Sequence, residues 1–512
     1  MIAIVGAGSF GQKTANILMN NSVKFKLFDR QKKKPYRDHN INSFDKINPS
    51  EISTILIAVS IEPYLSEIYQ ELIQIGLDEN RILPLVYDSA AVMLDTMFEI
   101  DKERVLNTLE KNLSNFAEFE NSFFNDRNSK IASLNNKSRT NVGFYFLGRA
   151  GGFRQHAGSL PKRLEENYNV TVFSDEPPSK LENKDNYILM SQESMQSQEY
   201  SELAITTHFY PCSPAQTTKL TLMHMAYDFL LFGDHVADII QQAENHYIFL
   251  ASQPSLELHK RLCLEANLTN NVVLIPGGYP KHDQNLIKYE KIKDEFESKA
   301  IIYAPTLSSF FTSENSKYTY SIIQALDFVP KILEHFTDRF LIFRPHPEDL
   351  DLVSSGIETK RAIAFKELIK ICHQHPRCIL DSNKSNYIES FAKSAVMISD
   401  TSAIAFSYFL TTGKPVIFFS PDQKSLKKNL SHIKYIQDRE KIGYCVEGSE
   451  ELLLKLDELL NKENHKPHSK DGIIFNEGRS EDYLLENMDY IITGKKHPDW
   501  WYLKDYIRGD KK

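Results

Sequence analysis

The sequence predicts an α/β protein built from three successive parallel-sheet domains. Three observations predict it. Short β-branched runs alternate with amphipathic stretches along most of the 512 residues, the pattern of βαβ units. The motif Gly6-Ala7-Gly8-Ser9-Phe10-Gly11 follows the first run directly and opens a helix. The alternation then restarts, once at Asn141 and again at Ala300, which suits a chain of this length at roughly 150 residues per domain.

Residues 1–98 read as the first domain. Ile2–Val5, Phe25–Phe28, Thr54–Val59 and Ile82–Leu85 are predicted strands, with helices over Gly11–Met19 and Tyr64–Ile75, the latter ending at Gly76. The glycines of a GxGxxG allow a tight turn and close approach of a phosphate to a helix N-terminus. Asp29 closes the second strand, where a ribose-binding acid sits. Gly6, Gly8, Gly11 and Asp29 are therefore candidate nucleotide-binding residues of a Rossmann-like domain, with a nucleotide or NAD as its ligand. The alternative is a Rossmann-like module that binds a nucleotide sugar, or nothing.

Residues 99–140 read as a helical linker. Leu106, Leu109, Leu113, Phe116 and Phe123 form one apolar helical stripe, and the polar stretch NDRNSKIASLNNKSRT follows it. Residues 141–285 and 286–480 read as two α/β domains with a cleft between them. Predicted strands of the first are Val142–Leu147, Thr171–Phe173, Tyr187–Met190, Lys219–Met223, Tyr247–Ala251 and Val272–Ile275. Those of the second are Ala300–Tyr303, Phe340–Phe343, Cys378–Leu380, Ala395–Ile398 and Val416–Phe419. The tail from Asp471 reads as helical, and residues 481–512 end in an aromatic and basic segment.

Composition limits the function. Lys plus Arg number 60 against 68 Asp plus Glu, a net charge of −8, so nothing points to a general nucleic-acid binder, although a local basic patch is compatible with this balance. The five cysteines are odd in number and form no CxxC pair, which argues against a disulfide framework or zinc site and for a reducing compartment. The start MIAIVGAGSFG lacks the basic region and cleavage site of a signal peptide, and no run of 18 apolar residues occurs. The expected location is the cytoplasm, with contact at the inner membrane face as an option.

Several segments carry candidate chemistry. Arg344-Pro345-His346-Pro347 stands at a strand end, stiffened by two prolines, so that Arg344 and His346 can face a pyrophosphate as charge-assisted donors. The alternative is a strand-end histidine bonded to a backbone carbonyl. Ser399-Asp400-Thr401-Ser402 follows a strand and starts a helix. It caps the helix, and the same N-terminus with its hydroxyls suits a phosphate. Asp400, being anionic, is expected to orient a hydroxyl or N–H instead. Gly148-Arg149-Ala150-Gly151-Gly152-Phe153-Arg154 is a glycine-rich loop after a strand. Arg149, Gly151, Gly152 and Arg154 are its candidate anion-binding residues, unless it is a surface loop. Trp500-Trp501-Tyr502 beside Lys504 and Arg508 either lies on an anionic membrane or packs back onto the fold.

Two resemblances follow from these motifs. Residues 1–90, through VSIEPYLSEIYQELIQIGLDENRILPL, resemble the N-terminal nucleotide-binding domain of bacterial sugar O-acyltransferases. The hexapeptide repeats of those enzymes are missing here, so acyl transfer is not implied. Residues 141–490 resemble the CDP-glycerol glycerophosphotransferases, teichoic-acid and capsule polymerases of the GT-B fold. LTLMHMAYD, VVLIPGGYPKHD, AIIYAPTLSSF, FLIFRPHPED, VMISDTSAIAFSYFLTTGKPVIFF and NEGRSEDYLLENM occur in that family's order. The resemblance implies a GT-B pair after the N-terminal domain. Thr306, Arg344, Ser399, Asp400, Thr401 and Ser402 then lie at the donor, and His224 and His346 are catalytic. His224 corresponds to the family's base, although Met225 stands where the family has glycine. Asp228, His208 or a purely structural His224 are the alternatives.

The implied function is transfer of glycerol phosphate, or a related polyol phosphate or sugar, from a nucleotide-activated and preferably CDP-linked donor. The acceptor is a glycan or lipid-linked hydroxyl in capsule, teichoic-acid-like or lipopolysaccharide synthesis. No metal or cofactor is needed for it, and a homo-oligomer is compatible. An ordinary nucleotide-sugar glycosyltransferase, an NAD-dependent oxidoreductase and a non-catalytic nucleotide-sugar-binding subunit are the competing readings.

Overall fold

The computed structural model describes residues 1–31, 35–59, 61–111, 113–135, 138–148, 154–178, 185–227, 234–309, 311, 316–354, 358–383, 386–461, 468–470 and 472–507. The chain forms two compact units, Met1–Gly148 with Leu164–Lys219, and Arg149–Arg163 with Leu220–Lys512. Among the described residues the strands make three largely parallel sheets.

Unit 1 opens with β1 (Ile2–Val5), β2 (Phe25–Phe28), β3 (Ile41–Asn42), β4 (Thr54–Ile57) and β5 (Ile82–Pro84), in the order β3-β2-β1-β4-β5. All pairs are parallel, with Ile4 opposite both Leu27 and Leu56. Every residue of β1 and β4 is buried, which is why these strands read as unbroken apolar runs instead of alternating ones. β3 escaped sequence reading because two polar-flanked residues give no period. The first helix runs Ser9–Asn20, starting two residues before the predicted Gly11.

The predicted linker is a packed helical segment. Helix Asp88–Leu109 departs from helical φ/ψ at Asp101, and a second helix runs Phe116–Phe123. The apolar stripe spans both, and Leu109, Leu113, Phe116 and Phe123 join the core of the first sheet. The break falls at Ser114-Asn115. The Asn115 side chain accepts from Glu118 N–H at 2.7 Å, and Glu118 accepts in turn from the Ser114 hydroxyl at 2.6 Å, a reciprocal cap that starts a new helix. The polar stretch beyond it holds a third helix, Arg127–Leu134. Its Arg127 is buried and pairs at 3.1 Å with fully buried Glu120. Glu120 also accepts from Ser191 N–H at 2.6 Å, so the segment is bonded to the second βα series, not strung between domains.

That series contributes β6 (Asn141–Phe146), β7 (Asn169–Ser174), β8 (Tyr187–Leu189) and β9 (Leu203–Thr206) to unit 1, ordered β9-β6-β7-β8. β9 was not predicted. The division between the units falls inside β10 (Thr218–Leu222). Unit 2 holds β11 (Asn245–Leu250) and β12 (Asn271–Pro276), paired in parallel. It then holds β13 (Ala300–Tyr303), β14 (Phe340–Phe343), β15 (Cys378–Leu380), β16 (Ser394–Ser399), β17 (Val416–Phe419) and β18 (Gly443–Val446), in the order β15-β14-β13-β16-β17-β18. Large apolar clusters cover both faces of this sheet.

The tail departs from a plain helix. Helix Ser480–Thr493 begins nine residues after Asp471, behind turns at Asn476 and Gly478 with φ of 45° and 75°. Trp501–Tyr502 then forms β19, antiparallel to β12 with Trp501 opposite Leu274.

Candidate active site

In the six-stranded sheet, β13 and β14 run towards one edge while β16 to β18 run towards the other, so the topological switch lies between β13 and β16. Ligands of open α/β sheets sit beyond the carboxyl ends of the strands at that point. Tyr303 lies opposite both Phe343 and Ile398. The segments carrying Thr306, Arg344–His346 and Ser399–Ser402 therefore leave the sheet side by side.

Two buried aspartates hold them there. Asp400 accepts from the backbone N–H of Thr306 (2.8 Å), Ser321 (3.0 Å) and Thr401 (2.7 Å), and from the Ser321 hydroxyl (2.8 Å). Burial pushes its carboxyl up to about 6, against the pull of these donors. Asp349 accepts from Ser308 N–H (3.3 Å) and Ser309 N–H (2.9 Å), tying the loop after β13 to the helix Pro347–Ser354. Burial raises its pKa as well. Sequence reading missed Asp349, although an acid just inside a helix that starts with proline is a capping signal.

The hydroxyls differ in what they bond. Ser399 Oγ donates to Ala304 O at 2.7 Å and Thr401 Oγ1 to Thr319 O at 3.1 Å. The Ser402 carbonyl accepts from Tyr435 Oη at 2.6 Å. No such bond is recorded for Ser402 Oγ among the described residues. His346 Nδ1 accepts from Glu348 N–H at 3.3 Å, which puts the proton of the neutral ring on Nε2. Burial first, and Arg344 second, lower its pKa to about 4, so it is neutral near pH 7 and donates as imidazole. Arg344 is near enough for its charge to act on His346, but its hydrogen bonds go elsewhere. The guanidinium bonds Asp381 at 2.6 Å and Asn383 O at 2.8 Å, and lies 5.2 Å from the centre of the Tyr387 ring.

His224 lies two residues beyond the end of β10, partly buried. Its carbonyl accepts from Tyr279 Oη at 3.0 Å, and its ring meets that of His156 edge-on at 5.8 Å. Asp228 lies outside the described residues, as do Arg149, Gly151 and Gly152; Arg154 opens a short helical turn, Arg154–Ala157. Asp283 of the GGYPKHD segment accepts from Gly478 N–H at 2.9 Å and Ser480 N–H at 2.7 Å, joining two of the quoted motifs. Lys414 donates to Ser298 Oγ, Phe391 O, Ala392 O and Ser394 O at 2.6–3.1 Å, so the lysine before Pro415 is a structural clamp. In the tail, Trp500 is buried and donates to Tyr483 Oη at 2.9 Å; Arg508 is outside the described residues.

In the N-terminal domain the three motif glycines differ. Gly6 has φ 97°, and a Cβ there would meet Val59 Cγ2 at 2.7 Å. A Cβ at Gly11 would meet Gly6 O at 1.6 Å, whereas one at Gly8 would meet nothing within 4 Å. Asp29 accepts from Ala7 N–H at 2.7 Å and Gln31 N–H at 2.9 Å, so its carboxylate braces the glycine loop.

Residues 259–488 match the CDP-Glycerol:Poly(glycerophosphate) glycerophosphotransferase family. On that match the chain is an enzyme of the glycerophosphotransferase/glycosyltransferase type. The matched stretch holds Thr306, Arg344, His346 and Ser399–Ser402, while His224 and the glycine loops precede it. No curated protein matches the chain. Among solved structures, the wall teichoic acid polymerase TagF is similar at 14% identity over 77% of this chain and 98% of that one, with TM-score 0.45. A glycosyltransferase from Rickettsia africae is similar at 14% identity over 70% and 96%, with TM-score 0.38. MurG of Acinetobacter baumannii is similar at 11% identity over 70% and 96%, with TM-score 0.31. Among the described residues no helix is long and apolar enough to cross a membrane.

Proposed function

We propose that the protein transfers glycerol phosphate, or a related polyol phosphate, from a CDP-linked donor to a hydroxyl of a surface glycan. The observation that carries this reading is the placement of Thr306, His346 and Ser402 at three adjacent strand ends within the matched stretch. In the proposed reaction the acceptor oxygen attacks the donor's β-phosphorus. The bond from that phosphorus to the bridging oxygen breaks, and CMP leaves. His224 takes the acceptor proton. His346 Nε2–H, the Ser402 hydroxyl and the N-terminus of helix Ile404–Thr412 hold the phosphate oxygens. This assignment uses the chain's own donors and routes no charge through a metal.

The test is CMP release from CDP-glycerol with a polyol-phosphate-primed acceptor, beside a binding panel of CMP, CDP, CDP-glycerol and UDP-sugars. Cytidine ligands are expected to raise the unfolding temperature, by about 2.7 kcal/mol of stability at 100 times the dissociation constant. Ser402→Ala is expected to weaken that shift while leaving the unliganded protein as stable as the parent. Stabilisation by UDP-sugars alone would replace this reading with nucleotide-sugar glycosyl transfer.

A further inference from the structure

We propose that His156 is a positioning residue for His224, acting through the Tyr279 hydroxyl; the proposal rests on the reading of His224 as the base. The three residues come from three separate segments. His156 stands in the turn Arg154–Ala157 that follows the glycine-rich loop, Tyr279 in GGYPKHD, and His224 in LTLMHMAYD. His156 Nδ1 and Tyr279 Oη are 2.8 Å apart, and Tyr279 Oη donates to the His224 carbonyl at 3.0 Å. The His156 ring stacks on Tyr279 at 5.8 Å and meets the His224 ring edge-on at 5.8 Å.

Counting protons fixes the direction of the chain. Tyr279 has one O–H and faces two acceptors, a carbonyl that can only accept and an imidazole nitrogen that can do either. Both are satisfied only when the tyrosine proton points to His224 O and His156 Nδ1–H donates to Oη. Full burial keeps the phenol protonated, its pKa well above the usual value. His156 keeps its Nδ1–H whether the ring is neutral or charged, so the relay survives a change in its protonation.

The platform beneath the relay is stiff. Gly278, just before Tyr279, has φ 109°, and a Cβ there would lie 2.5 Å from Phe475 O. Beyond His156, Ser159 N–H donates to Glu481 at 2.8 Å and Arg163 bonds Asp482 at 2.6 Å. The segments carrying His156 and Tyr279 are thus both held at the start of helix Ser480–Thr493, and the free variable is the placement of the His224 backbone. In this chain the residue after the histidine is Met225, with a side chain and ordinary backbone limits. The bond to the His224 carbonyl holds that backbone, and the edge-on His156 ring borders the imidazole, without help from a glycine turn.

The test compares Tyr279→Phe, His156→Leu and His156→Asn, the last retaining an N–H donor near the Nδ1 position. CMP release from CDP-glycerol is expected to fall roughly 10- to 100-fold in kcat for Tyr279→Phe and His156→Leu, as for a reacting group displaced by about 1 Å. KM should stay within about twofold, and His156→Asn should recover most of the loss. A readout that needs no donor is the rate at which diethyl pyrocarbonate modifies His224, followed by peptide mass spectrometry with His335 as internal control. That rate is expected to change in Tyr279→Phe and His156→Leu and to be parental in His156→Asn. Parental modification rates in all three variants, or equal effects of His156→Asn and His156→Leu, would overturn the relay. A parent protein that modifies as expected but releases no CMP would overturn the proposed function and leave the relay standing.

Discussion

Asp400 is an anion placed where a phosphate is to bind, and its surroundings explain why it is tolerated. Three backbone N–H groups and one hydroxyl converge on it, so its charge is used inside the fold and organises the loop instead of facing the ligand. The substitution Asp400→Asn keeps the size but turns one oxygen into an amide NH2 facing N–H donors. It is expected to cost about 1–3 kcal/mol, the range for leaving a buried donor unmatched. Urea midpoints with an unchanged slope would show it; a parental midpoint would mean the aspartate is not a structural tie. Thr401→Ala should also lose stability through its bond to Thr319 O, in contrast to Ser402→Ala, although both side chains stand in the same tetrapeptide.

At the scale of elements the same device appears in each sheet. The first strand of each series, β1, β6 and β13, has its neighbours leaving in opposite directions, and a loop singled out in the sequence follows it. Gly6–Gly11 shows how such a loop divides its work. Gly11→Ala is expected to prevent the β1–helix turn from closing, because its Cβ would overlap the Gly6 carbonyl, and to abolish the cooperative unfolding of the N-terminal domain. Gly8→Ala should shift thermal unfolding little, within about 1 kcal/mol. Gly8→Asp should then report on ligand alone, by weakening nucleotide or NAD binding if the loop holds a phosphate. Equal thermal losses in Gly8→Ala and Gly11→Ala would contradict this division. Much of this was legible in the sequence. The buried strands announced themselves as apolar runs, and the motif residues fell at strand ends. β3 and β19, two residues each, were not legible because pairing alone defines them. The helix Arg127–Leu134 was hidden because its anchoring residue is an arginine, whose partner Glu120 stands on the apolar stripe between Phe116 and Phe123, where sequence periodicity calls for an apolar side chain. Within the site, Thr306, His346 and Ser399–Ser402 could be placed from strand ends. The orientation of Arg344 could not, since it depends on Asp381, which lies at the end of another strand.

Across the whole molecule, two buried and two partly buried groups give the fold opposing responses to acid. His259 and His346 are held neutral by burial, their pKa lowered to about 4. The unfolded chain protonates them first, near 6.5, so the stability they contribute is complete above 6.5 and is lost as pH falls towards 4. Asp400 and Glu193 are raised by burial to about 6 and about 7. Their cost to the fold is full at high pH and is relieved as pH falls through those values. His259→Gln is therefore expected to lose less stability than the parent between pH 7 and pH 5, and Glu193→Gln to lose more. Urea midpoints at the two pH values would decide it, and parallel behaviour of the two variants would refute the assignment. The short strand β19 has a consequence in time. β12 is made early and its outer partner, Trp501–Tyr502, arrives 229 residues after Val273 (502 − 273). At roughly 5–20 residues per second the ribosome takes about 10–45 s to deliver it. During that interval the nascent chain carries an open sheet edge, the surface on which a chaperone would act while the protein is still being made.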